Sequence, residues 1–186
     1  MYYFLAYFPK INFTQINEVR SKYDPNYPYI NPHIALVFPV EATIGESHLI
    51  DHIQTVTKNI ESFPISLSGL EKSWDHYLYL SVSKGSAEIA ALHDTLYSGI
   101  LEKYWFKNVP YKPHITLGFF AERQAKFDKS DIQDIVIHTA DFDKAVSMAQ
   151  EYNFNATTQF DSLSLIKRQD KQSPAAIIKE FPLLST

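Results

Sequence analysis

The sequence predicts an α+β fold with mainly antiparallel sheets, in one domain or one domain of two similar lobes. Three observations carry that reading. A short phrase occurs twice: Pro32-His33-Ile34-Ala35-Leu36-Val37-Phe38 returns as Pro113-His114-Ile115-Thr116-Leu117-Gly118-Phe119, with Pro, His, Ile, Leu and Phe repeated in order. Short runs with alternate apolar residues take turns with stretches whose apolar residues recur every three or four positions, the periods of strand and helix. No low-complexity tract or flexible linker divides the 186 residues, so any two lobes share an interface. Together these give about seven or eight strands and four helices, an α+β pattern.

Each copy of the phrase reads as a strand, because alternate side chains on a strand point to opposite faces. Ile34, Leu36 and Phe38 then face a core and leave His33 and Ala35 on the other side. The same count sets His114 beside Thr116. The preceding prolines suit an initial or edge position, where the missing N–H is not needed.

The remaining elements follow in order. Met1 to Lys10 is short, apolar and aromatic, which reads as a first strand and not as a signal peptide. Phe13 to Tyr23 carries Ile16, Val19 and Tyr23 at helical spacing, with Thr14 as N-cap, and Asp24-Pro25-Asn26-Tyr27-Pro28 stops it. A polar connection from Glu41 to Glu46 leads to a helix over Ser47 to Ile60 with Leu49, Ile50, Ile53, Val56 and Ile60 in one stripe. Two strands follow, Phe63 to Leu67 and His76 to Val82. In the second, Leu78, Leu80 and Val82 share one face and Tyr77, Tyr79 and Ser81 the other, where the tyrosines read as sheet cover or as a base-stacking wall. Ser86 caps a helix that runs to about Tyr104 with Ile89, Leu92, Leu96 and Ile100 inward. After the second phrase, Glu122 to Asp134 is polar and loop-like, Ile135 to His138 a short strand, and Asp143 to Tyr152 a helix using Ala145, Met148 and Ala149. Thr158 to Arg168 and Ala175 to Phe181 close the chain as a hairpin joined by a turn-rich link.

Composition limits the chemistry. Hydrophobic residues make up 45% and aromatic residues 15%, the profile of a folded protein with a real core. The chain has no cysteine, which excludes disulfides, thiolate zinc sites and a cysteine nucleophile, and fits a reducing cytoplasm. Nothing is long and apolar enough to cross a bilayer. A formal net charge of −4 argues against capture of long nucleic acid and suits a small phosphorylated ligand.

Two imidazoles shown alike on two equivalent strands are the strongest functional signal. Packing does not require the same polar residue at the same place twice, whereas a site built by pseudo-symmetry does. His48 and His52 share one face of a predicted helix with Asp51 beside them, but no third ligand stands near in the sequence. They read as a solvated helix face, and no metal is expected.

The paired phrases resemble the twin His-x-Thr/Ser-x motifs of the two-histidine phosphoesterase superfamily, the group of 2'-5' RNA ligases and cyclic phosphodiesterases, and in particular its small bacterial phosphoesterases. The resemblance covers most of the chain, including the early strand, the helix ending in Tyr23-Asp24-Pro25, the 81-residue spacing of the histidines and the closing hairpin. It implies two pseudo-symmetric lobes with flanking helices around a central cleft, as a single bilobal domain over residues 1–186. It further implies metal-independent phosphodiester chemistry on a 2',3'-cyclic or related nucleotide or RNA end, without a cofactor. His33 would be the proton donor, His114 the acceptor, and Thr116 a donor to a phosphate oxygen. One position departs from the family pattern: Ala35 stands where the first motif has Thr or Ser, so one hydroxyl is missing. Tyr29, Tyr111 and Lys112, next to the motifs, are candidates to replace it. The alternative implied by Ala35 is a non-catalytic binder of nucleotides or RNA ends.

Overall fold

The two copies of the repeated phrase lie side by side at the middle of one eight-stranded sheet. The computed structural model describes residues 1–41, 43–123, 135–170 and 172–185. In chain order the strands are β1 (Tyr2–Tyr7), β2 (Ile34–Glu41), β3 (Phe63–Lys72), β4 (Tyr77–Lys84), β5 (His114–Phe119), β6 (Ala121–Arg123), β7 (Ile135–Ile137), β8 (Asn155–Phe160), β9 (Ser162–Arg168) and β10 (Ala176–Pro182). The helices are α1 (Thr14–Tyr23), α2 (Glu46–Thr57), α3 (Ser86–Leu96) and α4 (Thr139–Tyr152), with a 3-10 helix over Gly99–Tyr104. The main sheet runs β10-β9-β1-β2-β5-β4-β3-β8, and β6 pairs with β7 separately. Every pairing between these strands is antiparallel.

The order has a centre. Four strands lie on either side of the β2–β5 seam, which is registered by Ile34 opposite Ile115. Outward from the seam, β2-β1-β9-β10 mirrors β5-β4-β3-β8, and the unit β1-α1-β2 matches β4-α3-β5. The crossing helices interlock the halves, since α1 packs on β5 and α3 on β2. Gly118 permits the first of these contacts: a Cβ there would lie 2.8 Å from Tyr23 Cβ and 2.7 Å from the Phe120 ring.

The helices cover one face of the sheet. Buried Ile16 and Val19 of α1, Leu49 and Ile53 of α2, Ile89 and Leu92 of α3, and Ala145 and Ala149 of α4 join Leu5, Ile34, Leu36, Leu78, Leu80, Ile115 and Leu117 in one apolar cluster. This burial is the main stabilising contribution. The opposite face carries a smaller cluster of Phe4, Ala6, Ile30 and Ile166, and it is there that both histidines emerge.

Several expectations change. Phe38 does not enter the core and is 39% exposed. Two register shifts against β1 place extra residues in β2, so Leu36 and Val37 are both buried and Phe38 turns outward. A shift between Leu78 and Tyr79 does the same in β5: Phe119 is half-buried against Tyr77, and Phe120 takes the core position. Thr14 is the first helical residue and not the cap. Asn12 Oδ1 accepts from the Thr14 amide and hydroxyl. Gly85, at φ 80°, takes the capping position expected of Ser86. The helix expected to run to Tyr104 ends at Leu96, and the 3-10 turn that follows buries Leu101 and leaves Ile100 at the surface. Thr158 to Arg168 is two strands divided at Asp161, so strands among the described residues number ten. Of the expected loop from Glu122 to Asp134, Glu122 and Arg123 belong to β6 and residues 124–134 lie outside the described residues.

Candidate active site

The site is assembled by the register of the seam. Extending the Ile34–Ile115 pair by one residue each way sets His33 across from Thr116 and Ala35 across from His114. Ile34 and Ile115 are buried to 0% exposure, so the four flanking residues share the opposite, open face. Paired positions on adjacent strands lie within about 5.5 Å, which makes these four side chains one constellation. Pro32 and Pro113 are buried at the entry to each strand.

Both imidazoles are held the same way. His33 Nδ1 lies 2.9 Å from Asn31 O, and His114 Nδ1 lies 2.6 Å from Lys112 O. A carbonyl only accepts, so Nδ1–H is the donor and each neutral ring turns its unprotonated Nε2 away from the backbone. Burial pushes both rings down, to about 4 in each case.

Their surroundings differ. His33 sits between Phe4 and Phe8, at ring-centroid distances of 6.3 and 5.8 Å. After burial, the charges that lower it are Arg20, His114 and Arg168. Arg20 is 2% exposed; its Nε and Nη2 bind Asp24 Oδ2 at 2.9 and 2.8 Å, and Nη2 also donates to Ile30 O at 2.9 Å. Asp24 Oδ1 accepts from the Asn26 amide at 2.8 Å. The buried ion pair thus pins the 24–31 loop that delivers the carbonyl of Asn31 to His33. On the other side, Tyr79 stacks on His114 with centroids 3.5 Å apart, and the charges bearing on His114 are Asp75 and Glu71, both of which raise it. Burial also pushes Tyr79 up, to about 12.

The other predicted residues are distributed unevenly. Thr116 shares the histidine face and is paired with Tyr79 in the β4–β5 ladder. The Tyr111 hydroxyl donates to Ala35 O at 2.7 Å and its ring stacks on His93 at 3.8 Å, so it braces the first motif through the backbone. Lys112 forms an ion pair with Glu71. Tyr29 lies away from the seam, in the wall of a cavity beside His33, with the Arg168 guanidinium 5.5 Å from its ring. His52 Nε2 bonds to Leu96 O at 2.9 Å, tying α2 to α3. Among the described residues no group of three or more His, Asp or Glu side chains is placed to hold a metal ion, and no helix is long and apolar enough to cross a membrane.

Sequence reasoning missed Arg20, Asp24, Phe8, Asp75 and Arg168. The four-residue spacing of Arg20 and Asp24 was a readable sign of a pair on one helix face. Nothing in the sequence points Phe8, Asp75 or Arg168 toward a histidine; the sheet does that.

Comparison with known proteins gives the family and the fold. The family model described as the 2'-5' RNA ligase superfamily matches residues 8–172. A Bacillus licheniformis protein named "Putative phosphoesterase" is 27% identical over 136 residues, covering 71% of this chain and 77% of the relative. A Bacillus pumilus protein of the same name is 27% identical over 136 residues, covering 71% and 76%. Among solved structures, TT0787 of Thermus thermophilus aligns with a TM-score of 0.62 at 14% identity, covering 100% of this chain and 99% of that one. Escherichia coli LigT, complexed with 3'-AMP, aligns at 0.59 with 18% identity, covering 98% and 97%. At such identities the structures establish a shared fold.

Proposed function

Because this chain belongs to the 2'-5' RNA ligase superfamily, we propose that it is a metal-independent phosphoesterase that hydrolyses a 2',3'-cyclic or related phosphodiester on a nucleotide or RNA end. The observation that carries the proposal is the matched pair of imidazoles, each fixed through Nδ1 to a backbone carbonyl so that Nε2 is presented on one open face. A phosphodiester held between them receives water on phosphorus. One Nε2 takes the water proton, the P–O bond to the ribose oxygen breaks, and the other imidazolium gives its proton to that oxygen. The product is a ribose monophosphate ester, and the two rings exchange protonation states until solvent restores them. Both proton transfers are supplied by histidine, so the step needs no metal.

At neutral pH both free rings are unprotonated, given values of about 4. The bound phosphate anion favours the imidazolium and raises them. The family resemblance made His33 the donor and His114 the acceptor. The charges favour the opposite roles: cations at His33 disfavour its proton, while carboxylates and the stacked Tyr79 face at His114 favour one there. We therefore assign His33 as base and His114 as acid for hydrolysis, with Thr116 donating to a non-bridging oxygen. Residues 1–186 act as a single bilobal phosphoesterase domain, located in the cytoplasm. A small nucleotide or RNA end is the partner, and long nucleic acid and membranes are not.

A second reading, a binder of nucleotides or RNA ends without turnover, is favoured by Ala35, which leaves the first motif without a hydroxyl. The test is hydrolysis of a panel of 2',3'-cyclic nucleotides and ADP-ribose cyclic phosphate with EDTA present, across roughly pH 5–9 so as to bracket the ordinary histidine range. Chelator-resistant turnover abolished by His33→Ala or His114→Ala is the expected result. Ligand binding with no turnover on any member establishes the second reading.

A further inference from the structure

We propose that the cavity beside His33 is the base-binding pocket of the substrate, and that it selects guanine. The inference rests on the reading of the two-histidine face as the phosphodiester site. The cavity measures about 390 Å³ and is walled by Phe8, Phe13, Tyr27, Tyr29, Asn31 and Glu180, a size suited to small-molecule ligands.

Two of its lining residues, Phe8 and Asn31, adjoin His33. Phe8 lies 5.8 Å from the His33 ring by centroids, and Asn31 supplies the carbonyl that holds His33 Nδ1. Ile30 lines the cavity and belongs to the apolar cluster on the histidine side of the sheet. The walls are braced: the Ala175 amide donates to Tyr29 O at 2.8 Å, and the Arg20 guanidinium lies 5.9 Å from the Tyr27 ring.

Four aromatic rings make a stacking surface for any base, since each base has a π-face. Discrimination comes from the polar lining. Among the described residues, the Glu180 carboxylate and the Asn31 side-chain amide make no hydrogen bond, and Lys10, which bears electrostatically on Glu180, is paired with Asp161 at 2.5 Å. A carboxylate only accepts. Guanine is the RNA base that offers two adjacent donors, N1–H and the 2-amino group, to one carboxylate. Adenine and cytosine each offer a single amino group, and the N3–H of uracil is flanked by two carbonyl oxygens that repel the anion. The Asn31 amide adds a donor for the guanine O6.

The test is calorimetric binding of 3'-GMP, 3'-AMP, 3'-CMP and 3'-UMP to the wild type and to Glu180→Gln, a substitution at an exposed residue of β10. The expected result is 3'-GMP bound about tenfold tighter than the other three, with the preference lost in Glu180→Gln and the other affinities unchanged, because a hydrogen bond to a charged group is worth at least that factor. Equal affinities, no binding of any nucleotide, or a guanine preference that survives Glu180→Gln overturns the pocket. Binding needs no turnover. A guanine preference without hydrolysis keeps the pocket and removes the catalytic reading, and hydrolysis without a base preference does the reverse.

Discussion

The two halves of the seam carry the same imidazole in the same geometry and surround it with opposite charge. His33 is backed by Phe4 and Phe8, with Arg20 and Arg168 bearing on it. His114 lies on the face of Tyr79, with Asp75 and Glu71 bearing on it. Backbone symmetry builds the pair, and the side chains outside the repeat make it unequal. On the proposed function, a symmetric frame would thus supply an acid and a base from identical residues.

Removing either ring is the largest break in that comparison. His33→Ala and His114→Ala are each expected to lower turnover of a 2',3'-cyclic nucleotide by roughly 10²–10⁴-fold, the usual worth of a positioned proton carrier. Steady-state kinetics with ligand binding measured separately will show kcat lost and affinity largely kept.

Next in size is the cationic backing of His33. Asp24→Ala leaves the guanidinium of Arg20 buried without its carboxylate, and losing one partner of a buried pair costs about 3–5 kcal/mol. Denaturant unfolding of Asp24→Ala should register that loss. Because Asp24 and Arg20 also hold the loop leading to His33, turnover should fall as well at temperatures where the variant is still folded.

Acid should destabilise the protein through both rings. The unfolded chain binds an imidazole proton below about pH 6.5, whereas the folded sites bind one only below about 4. Protons therefore favour unfolding between these values. Stability is full above pH 6.5, falls through the window, and levels off below 4, by about 1–3 kcal/mol for each half-buried ring. Thermal unfolding followed from pH 7 to 4 should show this slope, reduced in either histidine variant.

The smallest effect comes from restoring the symmetry of the motifs. Ala35 pairs with Ala6 in the ladder, a small neighbour that leaves room for a larger side chain. Ala35→Thr returns a hydroxyl to the phosphate and should lower KM by about tenfold. An unchanged KM would mean that another donor already serves that oxygen.

Much of this was legible in the sequence because it rests on period and repetition. Pro32-His33 and Pro113-His114 mark two strand entries, and alternation places both histidines away from Ile34 and Ile115. The same rule failed at Phe38 and Phe119, because bulges change the face of every residue beyond them and leave no local sign in composition. The helix expected to run to about Tyr104 ends at Leu96 because the chain turns at Tyr97 and Ser98 into a 3-10 helix, and Leu101 replaces Ile100 in the core. Asp75 and Arg168 bear on His114 and His33 from 39 and 135 residues away, so only the sheet brings them together, while Arg20, 13 residues before His33, is turned toward it by the loop that Asp24 holds. Tyr111 was legible as a neighbour of the site, yet its hydroxyl is used on Ala35 O.

The most direct test of unequal paired histidines compares a 2',3'-cyclic nucleotide with a phosphodiester whose leaving group is 4-nitrophenolate, which departs without a proton. His114→Ala is expected to lose turnover of the cyclic nucleotide but keep it on the activated diester, while His33→Ala loses both. Equal loss on both substrates in the two variants, or retention of cyclic-nucleotide turnover by either variant, contradicts unequal roles for the two histidines.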